Sequence, residues 1–322
     1  MREVACHSVG NRIEHTRDLP ARVLQLWGRL RWDGLSLDVL QQIRDEILDD
    51  VALRALEDPS PGDDRTRAAV STAAECAWAA LDFTTFPSGD FELCFPLIGE
   101  RLSNFPEPDG SVSASLIHSG EHGPAWVKDL APASTRTWLD AFAMCLVGDL
   151  LWERMRAMGP MLRDEYATTV HEGAPYSPLE CTSDPAELTE MDALCLYLAE
   201  ATGPTPNHFP DVPLRKPTVE ERLEAARRLD TLDALTSEQR LLRVLLDDNR
   251  ASFEDTLVDQ LVRYRESAVP DAPPRSLLPI GIIAVAALAV QVHGWTLGIT
   301  SGYLPEVLLA APHDAPPVAA GN

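Results

Sequence analysis

Lysine is nearly absent from this 322-residue chain, which has only Lys128 and Lys216. Arginine included, the sequence carries 27 basic residues against 50 acidic ones, a net charge of −23. No basic cluster is longer than a pair such as Arg227 and Arg228, whereas nucleic-acid binding needs a basic stripe. A field of this sign repels nucleic acid and anionic membranes and speeds encounter with a basic partner. Solubility alone would also account for such acidity. The six cysteines (Cys6, Cys76, Cys94, Cys145, Cys181, Cys195) are scattered, with no C-x-x-C pair. Several fall within apolar helical patterns, where a free thiol behaves as a small hydrophobe. The first 31 residues are peppered with Arg, Glu and Asp and lack the apolar stretch of a secretory signal. Together these features predict a cytoplasmic protein with free thiols.

Catalytic signatures are missing too. The sequence has no G-x-S-x-G elbow, P-loop, dinucleotide fingerprint or H-E-x-x-H. His118, Glu121 and His122 lie close together, but in a Gly-containing turn that does not place both imidazoles on one helix face. A solvated surface turn is the favoured reading, and neither metal nor cofactor is expected. The aspartate pairs Asp49–Asp50, Asp63–Asp64 and Asp247–Asp248 invite comparison with class I terpene synthases, whose aspartates hold magnesium and diphosphate. No third carboxylate follows at the required spacing, and 6% aromatic residues is low for a cation-lining cavity. An enzyme of specialised metabolism on an all-helical scaffold is therefore the less favoured alternative.

What is present is an ordinary globular composition, 45% hydrophobic and 24% charged, over a length that can bury a sizeable core. Ser36 caps an amphipathic helix to Leu56, with Leu40, Ile43, Ile47 and Val51 at spacings of three and four. A second, Ala-rich helix runs from Asp63–Asp64 to about Leu81. The period then changes: Phe91, Leu93, Phe95 and Leu97 alternate, as do Val112, Ala114 and Leu116, across a turn at Asn104–Gly110. Helix resumes over Ser134–Met158, near Glu187–Glu200, and then over Thr218–Leu229, Ser237–Leu246 and Arg250–Glu266. Thr236 and Gln239 form a capping box.

The closing stretch is the most distinctive. Leu277 to Val290 is apolar throughout, about fourteen residues where a membrane span needs roughly 20, which predicts a helix buried on all faces. It is opened by Pro279 and followed by Gly294, Trp295 and the run Ser301 to Leu309, which contains Tyr303, Leu304 and Pro305. That ending resembles the immunity protein 49 family of bacterial polymorphic-toxin systems. Arg240 to Phe253 is similar to the family's penultimate helix pair, and Trp138 and Phe142 sit where the family tends to place aromatics. The resemblance covers roughly the last 90 residues; Thr168–Pro185, which contains prolines, departs from it. It implies a cytosolic protein that binds and neutralises a cognate toxin, without chemistry of its own.

The expected fold is mainly α, an array of antiparallel helical hairpins around the buried C-terminal helix, with a small β insertion near residues 90–118. It is either one domain over 1–322 or two lobes, about 12–202 and 218–310, joined by the Pro-rich 203–217 segment, with a disordered tail over 311–322. A partner surface is expected on the first helical hairpin. There Asp45, Glu46, Asp49 and Asp50 project from one helix, and Glu57, Asp58, Asp63 and Asp64 cluster at the connection. The partner that fits is a basic protein toxin; nucleic acid and membrane are not expected.

Overall fold

The computed structural model describes residues 2–10, 18–57, 64–86, 89–104, 127–128, 131–153, 157–173, 181–200, 212–313, 315–316 and 318. Its architecture is mainly helical with a few short strands. Helix α1 (Leu19–Asp33) buries Leu19, Val23, Trp27 and Leu30, one face at helical spacing. Gly34 turns the chain at φ 94°, into strand β2 (Leu35–Ser36) and helix α2 (Leu37–Glu57). Ser36 Oγ accepts from the backbone N–H of Val39, the cap its position predicts. Helix α3 (Asp64–Thr85) folds back on α2 and is covered in turn by α4 (Thr135–Val147), capped by Ser134.

Helix α4 ends at Val147, eleven residues before the Met158 expected from its apolar pattern. The pattern continues through Leu150 and Leu151, both buried, but the backbone does not: Gly148 closes the helix and Asp149 takes a left-handed φ of 64°. Gly148 is also where α4 meets α3. A Cβ there would sit 2.6 Å from that of Ala74, so the close crossing requires glycine. A 3₁₀ turn (Leu150–Trp152), helix α5 (Met158–Pro160), a π-helical stretch (Met161–Tyr166) and α6 (Ala167–Glu172) follow. Within the π stretch the Leu162 carbonyl accepts from the indole N–H of buried Trp138 at 2.9 Å.

The β region differs from its sequence pattern. Strand β3 (Glu92–Phe95) pairs antiparallel with β4 (Glu100–Ser103), within the segment that the alternation of Phe91 to Leu97 begins. Pro96 cannot extend the ladder and Gly99 supplies φ 68°, so the chain reverses at once. Asn104 braces the hairpin base instead: its side chain accepts from Phe91 N–H at 2.9 Å and donates to the Gly89 carbonyl at 3.1 Å. The strand expected at 112–116 lies outside the described residues. Two further strand pairs are parallel, β2 with β5 (Val127–Lys128), and β1 (Arg2–Val4) with β6 (Ile299–Ser301).

The second half of the chain follows its capping signals closely. Helix α7 (Pro185–Cys195) is capped by Asp184 and ends short of the expected Glu200, because the chain from Leu196 turns into an extended bridge between Leu198 and Leu214. Helices α8 (Val219–Leu229) and α9 (Ser237–Leu246) each begin with a complete capping box, and α10 (Arg250–Ser267) with Asn249. A 3₁₀ turn (Pro274–Leu277) leads into α11 (Ile280–Gln291), the apolar helix. By length and composition Pro274–Gln291 could cross a membrane, but 67% of it is buried in the protein, and every residue from Ile282 to Ala289 is buried. Helix α11 packs on α4, α9 and the short closing helix α12 (Glu306–Leu309). One contiguous core runs from Val4 to Leu308. Half of the tail expected over 311–322 lies outside the described residues.

Candidate functional site

The acidic face of α2 proves to be largely an internal fastening. Asp49 and Asp50 are buried, 4% and 5% exposed. Asp49 accepts from the Arg275 backbone N–H at 2.7 Å and pairs with its guanidinium at 2.9 Å, holding the 3₁₀ turn that aims α11 into the core. Asp50 accepts from Arg54 Nε at 2.6 Å. The two half-buried members are paired as well, Asp45 with Arg275 at 3.4 Å and Glu46 with Arg22 at 3.0 Å. The neutralising arginines come from three places: one from the next turn of α2, one from α1 and one from more than two hundred residues away. Glu57 and Asp64 remain on the surface, Asp64 facing Arg67 at 3.8 Å; Asp58 and Asp63 lie outside the described residues.

Pro279, Tyr303, Leu304 and Pro305 come together around the ends of α11. The Pro279 carbonyl accepts from Ile283 N–H, opening the helix. Tyr303 is fully buried, and its hydroxyl accepts from the His7 backbone N–H at 2.9 Å and lies 2.6 Å from His7 Nδ1. Its ring packs edge-on against Tyr264 of α10, with centroids 5.5 Å apart. Leu304 and Pro305 are buried, and Pro305 starts α12. The covering of α11 is therefore shared: α12 lies on it, while Tyr303 binds the N-terminal segment to α10.

A buried polar network lies at the other end of α11. Asp248 has φ 55° and gathers Lys216 Nζ at 2.8 Å, Arg222 Nη1 at 3.2 Å and His293 Nδ1 at 2.7 Å. The His293 Nε2 side meets Tyr197 Oη at 3.2 Å. Burial lowers the imidazole pKa, and Asp248 opposes that shift. The His293 side chain has no exposed surface. Asp247 is bound to Arg243 at 2.6 Å, and Asp49 and Asp50 are internal, so these two aspartate pairs are engaged by basic groups. Among the described residues no group of three or more His, Cys, Asp or Glu could hold a metal ion; His118 and His122 lie outside them.

The feature that the sequence did not disclose is an open cavity of about 450 Å³ lined by α2, α4, α7, α9, α10, the turn before α11 and the start of α11. Leu139, Leu194 and Ala284 are among its apolar walls. Three arginines line it, each tied to aspartate. Arg44 and Arg136 share Asp140 at 3.9 and 3.2 Å, and Arg275 holds Asp45 and Asp49. Glu190 and Glu238 line it too, and among the described residues neither has a cation within ion-pair distance. Glu190 is 7% exposed and accepts from the Gln239 side chain. Burial, then the neighbouring Glu238, pushes its carboxyl up to about 7. One sequence signal pointed here: Glu190, Ala193 and Leu194 occupy the i, i+3, i+4 positions of a buried face, where a carboxylate is out of place.

Comparison with known families decides the chain's relationship. The profile of the family named immunity protein 49 matches residues 62–308, about three-quarters of the sequence. This chain belongs to the immunity protein 49 family. The match begins at the α2–α3 connection and ends in α12, so it extends well upstream of the closing 90 residues that carry the resemblance by eye. It takes in α4, α7, α9 and α11, and hence most of the cavity wall. No curated protein and no solved structure matches the chain.

Proposed function

We propose that this immunity-family chain neutralises a cognate protein toxin in the cytoplasm by binding and occluding it, with no chemistry of its own. The observation that carries the reading is the family match over residues 62–308. The charge supports a basic partner: at −23 the chain's field accelerates encounter with a cationic surface and disfavours nucleic acid and anionic membranes. With Asp49 and Asp50 engaged inside, the acidic hairpin keeps Asp45, Glu46, Glu57 and Asp64 as groups that a partner can reach.

Co-expression with the toxin encoded beside it tests the reading. The toxin should be tolerated only when this chain is present, and the two should co-purify. Reversing Glu57 and Asp64 to lysine should slow association by severalfold at low salt and flatten its salt dependence, with the melting temperature unchanged. A toxin that remains lethal and unbound would remove the immunity reading, whereas an unchanged association rate would move only the steering surface.

A further inference from the structure

We propose that the cavity between α2, α4, α7, α9 and α11 receives a lysine or arginine side chain of the toxin, its cationic head lodging at Glu190 and Glu238. The proposal rests on the immunity reading above and names where the partner is gripped. The cavity's shape suits such a guest. At about 450 Å³ it exceeds what one long side chain needs, and the apolar surface of Leu139, Leu194 and Ala284 suits a methylene stem. Its charges are arranged for a cation and against an anion. Arg44, Arg136 and Arg275 are already satisfied by aspartates, which leaves Glu190 and Glu238 as the carboxylates without a counter-ion among the described residues.

Two details show that this arrangement is built into the fold. Glu190 is withdrawn from water yet still lines the cavity, a costly position for a carboxylate unless a cation offsets it. Glu238 is admitted by a glycine: a Cβ on Gly281 would come within 2.7 Å of Glu238 Cγ, so the first turn of α11 leaves room for that side chain. The groups facing Glu190 are Glu238 and Gln239 of α9, Glu187 of α7 and Arg136 of α4, so the surroundings favour its neutral form until a cation arrives. Docking therefore ionises Glu190 and releases a proton, and toxin affinity should rise with pH through the neutral range.

The test has two arms. In the first, the cognate toxin is titrated against the full chain and against Glu190→Gln, Glu238→Gln and the double variant. These near-isosteric changes remove charge from one buried and one half-buried place and should leave folding intact, which circular dichroism would verify. We expect the double variant to bind at least tenfold more weakly and to lose the pH dependence. A scan of the toxin's lysines and arginines should find one whose replacement by alanine makes the Glu190→Gln change silent. In the second arm agmatine, a butyl chain with a guanidinium at one end and an ammonium at the other, is titrated while amide shifts of Glu190, Glu238 and Gly281 are followed. Saturable shifts confined to the cavity, absent in the double variant, support its cation preference. Toxin affinity within twofold of wild type in the double variant overturns the proposal and leaves the immunity reading standing. If agmatine still binds in that case, the cavity serves a free small cation instead. Failure of the toxin to bind the unmodified chain removes both readings together.

Discussion

Asp49 and Arg275 lie 226 positions apart in sequence, yet one carboxylate of α2 accepts both the backbone N–H and the guanidinium of the arginine that precedes α11. The pair ties the second helix to the turn that launches the apolar C-terminal helix. Asp49→Ala leaves that N–H without its acceptor and the partly exposed guanidinium with Asp45 alone, and should cost about 1–3 kcal/mol in urea unfolding. Asp49→Asn, which keeps an acceptor but loses the charge, should cost less. Equal stability of all three proteins would show that the bond is incidental.

Glu190 makes the fold sensitive to pH. Its carboxyl is raised from the ordinary range to about 7, so the folded state binds the proton more tightly than the unfolded chain does. That contribution is fully present below the unfolded value near 4.5 and is lost as pH climbs through about 7. Stability should therefore fall between pH 5 and 8 by an amount on the order of 3 kcal/mol at most, and Glu190→Gln should flatten the slope and stabilise the protein at pH 8. A parallel pH profile in the variant would show that Glu190 is not the group responsible.

The α3–α4 crossing has no room for a methyl group. Gly148→Ala brings a Cβ to 2.6 Å from that of Ala74 and to 3.0 Å from the Val70 carbonyl oxygen. Overpacking of this kind costs about 1–3 kcal/mol, despite the gain in helix propensity that alanine would otherwise bring. Combining it with Ala74→Gly should recover part of the loss in a thermal melt. No loss in the single variant would mean that the helices can separate freely.

Removing everything after Gly298 deletes β6, Tyr303, Leu304 and α12, and so uncovers one side of α11 and releases the N-terminal strand. The truncated chain should lose its sharp unfolding transition and bind hydrophobic dyes. Tyr303→Phe isolates one bond in this region. It leaves the ring against Tyr264 but removes the acceptor of the His7 N–H, and should cost about 1–2 kcal/mol. A soluble truncation with a cooperative melt would place the core elsewhere.

The sequence by itself determined the helical class, the caps and the burial of the last long helix. Thr236 with Gln239, and Ser36, are read locally, because a cap acts over three residues. A helix apolar on every face can only lie inside, which places Ile282 to Ala289 without any knowledge of their neighbours. Periodicity failed where the backbone overrode the side chains: the apolar stripe ran on through Leu150, while Gly148 and Asp149 had already ended α4.

The functional geography was decided by the tertiary structure. Asp45, Glu46 and Asp49 read as part of one exposed acidic face because their partners, Arg22 and Arg275, are close only after folding, whereas Arg54 stands one turn from Asp50 on the same helix. The cavity is likewise an agreement among six helices and the turn before α11, so no local pattern could contain it. Charge patterning along a chain reports how many carboxylates a helix carries. Whether each faces water, an arginine or an empty cavity depends on long-range packing, and that difference separates the internal Asp49 from the uncompensated Glu190.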